Sequence, residues 1–329
     1  MFTDTISRRA ILLATCLAGL TLVTSAKAFA QQYPSRTVKV IVPFTVGTGY
    51  DLIARVVANG LQARLGKPFV VENAIGAGSL IGAGQLARTT PDGYTIGMIG
   101  EGTIAAAMLM PATKLNPIVD FKPITVAGFG TLLLLSGKNS GISDVQSLIE
   151  KSRSAPKVLS YGSPGIGQTQ HLRMEILKDS GKFPLMHIPY KGSAPALSAL
   201  MNGEVVAALT PIHQVTAHLA NGNVNALAVL AAERDPRAPN VPTLNELGIK
   251  GLDSRMWYAF VAPSKAPQSV IDLLHAEIKA VLSEPSARKQ LEATGLLIDP
   301  TTPKRALEIM KAEVITASKI IEAANIKLD

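Results

Sequence analysis

Cysteine is almost missing from this 329-residue chain, with Cys16 its only example. That excludes an internal disulfide, and beyond residue 30 it excludes a thiol nucleophile and a thiolate metal site. Aromatic residues are scarce too, at 5%. A protein that stacks bases on aromatic platforms needs more of them, so a nucleic-acid partner is not expected. Charged residues make up 17% of the chain and never form a run of five like charges. The net charge of +8 is therefore diffuse. It suits the attraction of small anions better than the tracking of a DNA backbone. Beyond the N-terminal segment, no apolar run reaches the roughly 20 residues that a membrane-spanning helix needs.

Several chemical signatures are also missing. The histidines, His171, His187, His213, His218 and His275, show no H-E-x-x-H spacing. No G-x-S-x-G elbow and no Walker loop occurs. Gly76-x-Gly78 has Ile81 where the dinucleotide fingerprint needs Gly or Ala, and it follows the second predicted strand instead of the first. No cofactor, metal or catalytic residue is expected. Of the histidines, only His171 falls beside a candidate binding loop, where a packing or helix-dipole role is the stronger reading.

What is present begins with an export signal over residues 1–30. Arg8 and Arg9 form its basic start, Ala10 to Val23 its apolar run, and Ala28-Phe29-Ala30 its cleavage site. Ser7-Arg8-Arg9 fits the twin-arginine route as well as general secretion, so a periplasmic location is expected by either path.

The mature chain is organised around 38–57. Val38, Val40, Ile41 and Val42 read as a buried strand, Phe44 to Tyr50 as a glycine-bearing loop, and the residues from Asp51 as an amphipathic helix. Gly66 and Pro68 stop that helix. Its first-turn N–H groups point into the loop, where an anion can sit. The plan repeats at 158–177: a short strand, a loop carrying Gly162, Gly165 and Gly167, then a helix from Gln168 or Thr169. Two such units predict two α/β lobes, each turning a helix N-terminus toward one cleft. Further loops at Asn73–Ser79 and Gly100–Thr103 fall at the carboxyl ends of predicted parallel strands, where open α/β sheets bind ligands.

The apolar run Ile124 to Leu135 predicts a strand that crosses between lobes, and Ala226 to Leu230 a return to the first. The expected division is 31–125 with 228–329 for the first lobe and 126–227 for the second. The tail predicts helices over 267–282, 286–293 and 303–324.

Longer stretches carry a resemblance. VPFTVGTGYDLIARVVANGLQARLGKPFVVEN, GAGSLIGA, PDGYTIG, SYGSPGIGQTQHL, HIPYKGSAPALSALMNGEV, VPTLNELG and WYAFVAP resemble, in content and order, the Bug-type solute-binding receptors of tripartite tricarboxylate transporters. The resemblance implies a two-lobed, type II-like periplasmic binding fold that closes on a small organic carboxylate, a di- or tricarboxylate or an aromatic acid. It implies delivery to the transporter's membrane components. A receptor feeding a sensor kinase would carry the same residues, and a periplasmic enzyme on this scaffold is the alternative of a different class.

By motif, the resemblance places ligand contacts at Phe44, Thr45, Val46, Gly47, Thr48, Gly49, Tyr50 and Asp51, and at Gly100, Glu101 and Gly102. In the second lobe it places them at Ser163, Gly165, Gly167, Gln168 and Thr169, with Tyr190, Lys191 and Thr210 at the rim. Thr45 and Tyr50 depart from the Phe-Pro-Ala-Gly-Gly-Gly-Thr-Asp form of the first loop. Glu101 stands where a small or amide side chain is usual. A carboxylate 4 Å from a ligand carboxylate costs about 4 kcal/mol at an effective dielectric near 20. Glu101 therefore points away, is protonated, or meets a donor on the ligand.

Overall fold

The computed structural model describes residues 33–250, 252, 255–323 and 326. The export signal expected at 1–30 lies outside them. Backbone contacts divide the chain into 1–35 and 36–329, and the fold is that of the second part. Its first elements are β1 (Val38–Val42), α1 (Gly49–Leu65), β2 (Phe69–Asn73), α2 (Leu80–Ala87), β3 (Thr95–Ile99) and α3 (Glu101–Leu109). Next come β4 (Phe121–Gly130), β5 (Leu132–Gly137), α4 (Val145–Ser154), β6 (Ser160–Ser163), α5 (Thr169–Gly181) and β7 (Met186–Pro189). They are followed by α6 (Ser193–Asn202), β8 (Ala207–Pro211), α7 (Ile212–Ala220) and β9 (Val224–Leu230). The chain closes with β10 (Met256–Pro263), α8 (Gln268–Ser283), α9 (Pro285–Ala293), β11 (Leu296–Ile298) and α10 (Pro303–Ala323).

Two sheets result, ordered β11-β4-β10-β3-β1-β2 and β7-β6-β8-β5-β9. Each has a parallel trio, β2–β1–β3 or β7–β6–β8. Antiparallel strands extend each trio, β10, β4 and β11 in the first sheet and β5 and β9 in the second. The loops that leave β1, β3, β6 and β8 thus gather at the carboxyl ends of parallel strands.

The apolar run 124–135 is two strands, broken at Thr131. β5 lies between β8 and β9, and its leucines pack into two cores: Leu132 and Leu134 into one, Leu133 and Leu135 into the other. A strand covered on both faces has no use for polar alternation, which is why this stretch reads as unbroken leucine.

Sheet membership moves both expected crossings. β4 pairs with β10 as far as Gly130, so the first crossing falls at Thr131 and not at residue 126. β9 does not return to the first lobe. It pairs with β5 from Val224 to Leu230, because Leu227 and Leu230 fill one second-lobe core while Val224 and Val229 fill the other. The three-residue strand β11 carries too little pattern to be read from sequence.

Helix α1 buries Ile53, Val57 and Leu61 and ends at Gly66, whose N–H bonds Gln62 O. It packs on α8 through Gly60, where a Cβ would lie 2.5 Å from Val281 Cγ1. Alanine normally gains about 1 kcal/mol over glycine inside a helix. Here the clash decides the sign, since overpacking costs about 1–3 kcal/mol. Gly60→Ala should therefore lower stability in urea unfolding, and adding Val281→Ala should convert its cost into a gain.

Candidate functional site

The two glycine turns share one geometry. After β1, Thr48 N–H donates to Thr45 O at 3.3 Å and Leu52 N–H to Thr48 O at 2.9 Å. After β6, Gln168 N–H donates to Gly165 O at 3.3 Å and Leu172 N–H to Gln168 O at 3.1 Å. Gly47 and Gly167 both have left-handed backbones, with φ of 82° and 76°, a region that side chains disfavour. The extended N-caps Thr48 and Gln168 match as well. Even a back-bond repeats: Gly47 N–H donates to Asp51 Oδ2 at 3.1 Å, and Gly167 N–H to His171 Nδ1 at 3.1 Å.

The glycine N–H groups are thus spent inside the turns. The donors left over belong to the first turns of α1 and α5, whose N–H groups have no intrahelical acceptor and sit at the positive end of a helix dipole. Both turns open on one cavity of about 550 Å³. Around it the lobes touch: a Cβ on Gly192 would lie 3.5 Å from Thr45, and one on Gly78 would lie 3.3 Å from the Gln168 amide.

Of the residues expected at the site, Phe44, Thr45, Thr48, Gly49 and Tyr50 line the cavity from the first lobe, and Gly165, Gln168, Thr169, Tyr190 and Lys191 from the second. Val46, Gly47, Asp51, Gly100, Glu101, Gly102, Ser163, Gly167 and Thr210 are not on its wall. Val46 projects outward and is 70% exposed. Gly100 backs the Tyr50 hydroxyl, Gly102 faces Gln168, and Thr210 is buried in β8. The wall also includes residues that the sequence reading missed. Pro43, Pro164, Gln170, Gly192 and Pro211 adjoin expected positions, Ser193 follows shortly after Lys191, and His213 and Gln214 follow shortly after Thr210. Ile75 to Ser79 belong to the loop expected at the sheet's ligand end without being named as contacts. Met256 and Tyr258 come from β10, far along the chain; Tyr258 falls within WYAFVAP, a stretch that carried the resemblance but no expected contact.

Asp51 caps nothing directly, since Thr48 is the N-cap. Its carboxylate instead ties the turn together, accepting from Gly47, from Arg55 Nε at 3.0 Å and from Asn73 Nδ2 at 2.9 Å. Burial opposes its charge, but the bonds from Arg55, Asn73 and Gly47 outweigh burial and hold its pKa below the usual range. Asn73 reaches on to Phe44 O at 3.0 Å, fixing the start of the loop.

Tyr50 lines the cavity with its ring and not with its hydroxyl. Its ring stacks on Phe44 with centroids 3.7 Å apart and meets Tyr258 edge-on at 4.7 Å, giving the cavity an aromatic floor. Its hydroxyl turns inward to Trp257 O at 3.4 Å. Glu101 points away from the cavity. Its Oε2 accepts from Trp257 N–H at 3.2 Å. Burial and then the nearby Glu313 raise its pKa, against a smaller opposing pull from Arg173. The expectation that it meets ligand is corrected accordingly.

His171 sits behind its turn and stacks on His187 at 3.9 Å. His187 Nε2 lies 2.6 Å from Ser163 Oγ, which accepts from Gly165 N–H at 3.2 Å. Ser163 and His171 therefore brace the second turn without lining the cavity. Among the described residues, no group of three or more His, Cys, Asp or Glu side chains is placed to hold a metal ion.

Two α/β lobes that turn matched helix ends onto a shared cavity define the architecture of a periplasmic binding protein. Known proteins agree. The model of the tripartite tricarboxylate transporter family receptor matches residues 53–326. BugT of Bordetella pertussis is 30% identical over 302 residues, covering 91% of this chain and 92% of that protein. The solved structure of the periplasmic binding protein BugD superposes with a TM-score of 0.83 at 30% identity, over 90% of this chain and 99% of that one. Rpa4515 of R. palustris, solved with adipate, gives 0.84 at 30% identity, over 90% and 99%. The chain belongs to the tripartite tricarboxylate transporter receptor family, the Bug-type solute-binding proteins.

The stacked imidazoles carry a testable consequence. Burial is the main cause that lowers the pKa of His171 to about 4 and of His187 to about 3, from about 6.5 in an unfolded chain. Depressed folded values mean that their stabilising contribution is complete above about pH 6.5 and is lost as pH falls toward 4. NMR titration of the ring protons should give midpoints below 5. Midpoints at about 6 or above would contradict the buried stack.

Proposed function

We propose that this protein is a periplasmic receptor that captures a small organic carboxylate between its lobes and delivers it to the membrane components of a tripartite tricarboxylate transporter. The observation that carries this reading is the matched pair of turns, each aiming first-turn N–H groups at the same cavity. Charge-assisted bonds from main-chain N–H to a carboxylate are strong and need no buried lysine or arginine. Each lobe supplies one end of the grip, so ligand affinity is tied to lobe closure about the crossings near Thr131 and between Leu230 and Met256. The adipate bound by Rpa4515 is a ligand of the same chemistry.

The test is calorimetry with hexanoate and adipate against their methyl esters. Esterification removes the charge and two or more charge-assisted bonds, at about 1.5–3 kcal/mol each. The methyl ester of whichever acid binds should be at least about a hundredfold weaker. Equal affinity for acid and ester would contradict the reading. Deletion of the gene should also abolish uptake of the acid that binds best.

A further inference from the structure

One side chain of the second binding turn reaches across to the other lobe. Gln168 is the N-cap of α5 and lies half-buried on the cavity wall. Its carboxamide belongs to the second lobe but rests on the first. A Cβ on Gly78 would lie 3.3 Å from Gln168 Nε2, and one on Gly102 would lie 3.2 Å from Gln168 Oε1. At those distances any side chain would press on the carboxamide, so it occupies room that two glycines leave open.

This socket is held in shape. Gly76 to Ser79 run through four successive residues of positive φ, at 133°, 45°, 62° and 81°. Ala77 and Ser79 adopt that region at a cost, and such strain persists only where the surroundings hold it. Ser79 Oγ donates to Thr103 Oγ1 at 2.9 Å, which ties the turn to the start of α3. A Cβ on Gly78 would also lie 3.0 Å from Ala106 Cβ, so this glycine is pinched between α3 and Gln168. The Gln168 carbonyl oxygen meets α3 at its first turn, the positive end of the helix dipole. Gly167 lies against the same helix: a Cβ there would be 3.0 Å from Leu109 Cδ1 and 3.7 Å from Ala106 Cα. The second turn is thus seated on the first lobe by the residue that begins its own helix.

We propose that Gln168 is a positioning residue that clips the second turn onto the first lobe, in the socket between Gly78 and Gly102, and so holds the lobes in the arrangement that captures the ligand. This role rests on the capture between lobes proposed above. Gln168 acts through its grip on the first lobe and not through a bond to the carboxylate.

Distances between the lobes test this. With Cys16→Ser removing the single cysteine, spin labels can be placed one per lobe, at Val70→Cys on β2 and Met186→Cys on β7. Both positions are exposed, at 51% and 52%. Pulsed electron resonance then reads the interlobe distance with no ligand present. Gln168→Ala should spread the distribution toward longer distances. Gly102→Ala, which fills the socket, should do the same. Alanine is normally favoured over glycine inside a helix, so a cost at Gly102 comes from the socket. Combined, the two substitutions should act no more strongly than Gln168→Ala alone, because both break one contact. With adipate or hexanoate, whichever binds, Gln168→Ala should speed dissociation about tenfold and leave association nearly unchanged. Unaltered distances in Gln168→Ala overturn the proposal whatever its affinity, since a side chain that only touches ligand would leave the empty protein unmoved. Additive effects of the two substitutions overturn it as well. Failure of both acids to bind overturns the carboxylate reading, and the label distances still decide the role of Gln168.

Discussion

A main-chain N–H that folds back onto the side chain four residues later shapes both halves of this binding site. The acceptor is a carboxylate at Asp51 in one lobe and an imidazole at His171 in the other. Either acceptor draws the glycine N–H inward and forces the left-handed backbone that only glycine adopts readily. The helix that follows then starts with its free N–H groups toward the cavity. Different chemistry secures the same shape: Asp51 is held charged by Arg55 and Asn73, whereas His171 is held neutral by burial against His187. The anion-binding geometry thus depends on residues that are not themselves on the cavity wall.

The same division between wall and support runs through the site. Tyr50 offers its ring to the cavity and its hydroxyl to Trp257 O, and Trp257 N–H in turn bonds Glu101. The lobes are further joined behind the cavity, where Ala105 of α3, Leu172 of α5, and Ala317 and Ile320 of α10 form one apolar cluster. Glu101, Arg173 and Glu313 sit on those same three helices; burial raises the pKa of both glutamates and the Arg173 guanidinium opposes that rise. Buried charges are tolerable only when paired, so this cluster fixes how α3, α5 and α10 meet.

Much of this was legible in the sequence, for reasons that can be named. The strand–glycine–helix pattern at 38–57 and its copy at 158–177 are local, and local patterns fix local structure. The apolar run at 124–135 announced buried strand, but as one crossing strand and not as the two that break at Thr131. The path of β9 was not legible, because an apolar strand such as 224–230 satisfies either lobe equally well until its partners are known. At the site, residues adjoining the turns were found, but the glycines that seemed nearest the ligand use their N–H groups internally. Glu101 was placed among the ligand contacts with three alternatives left open, and the structure turns it toward Trp257, the first of them. His213, Met256 and Tyr258 were missed, since the first sits just past the expected rim at Thr210 and the others arrive on β10 from the far end of the chain.

The most direct measurement is a crystal structure of the protein with its best-binding acid. The account predicts carboxylate oxygens at about 3 Å, directly or through one water, from main-chain N–H groups of Gly49–Asp51 on one side and Thr169–His171 on the other. A carboxylate held by Lys191 alone, with both helix ends facing solvent, would contradict it.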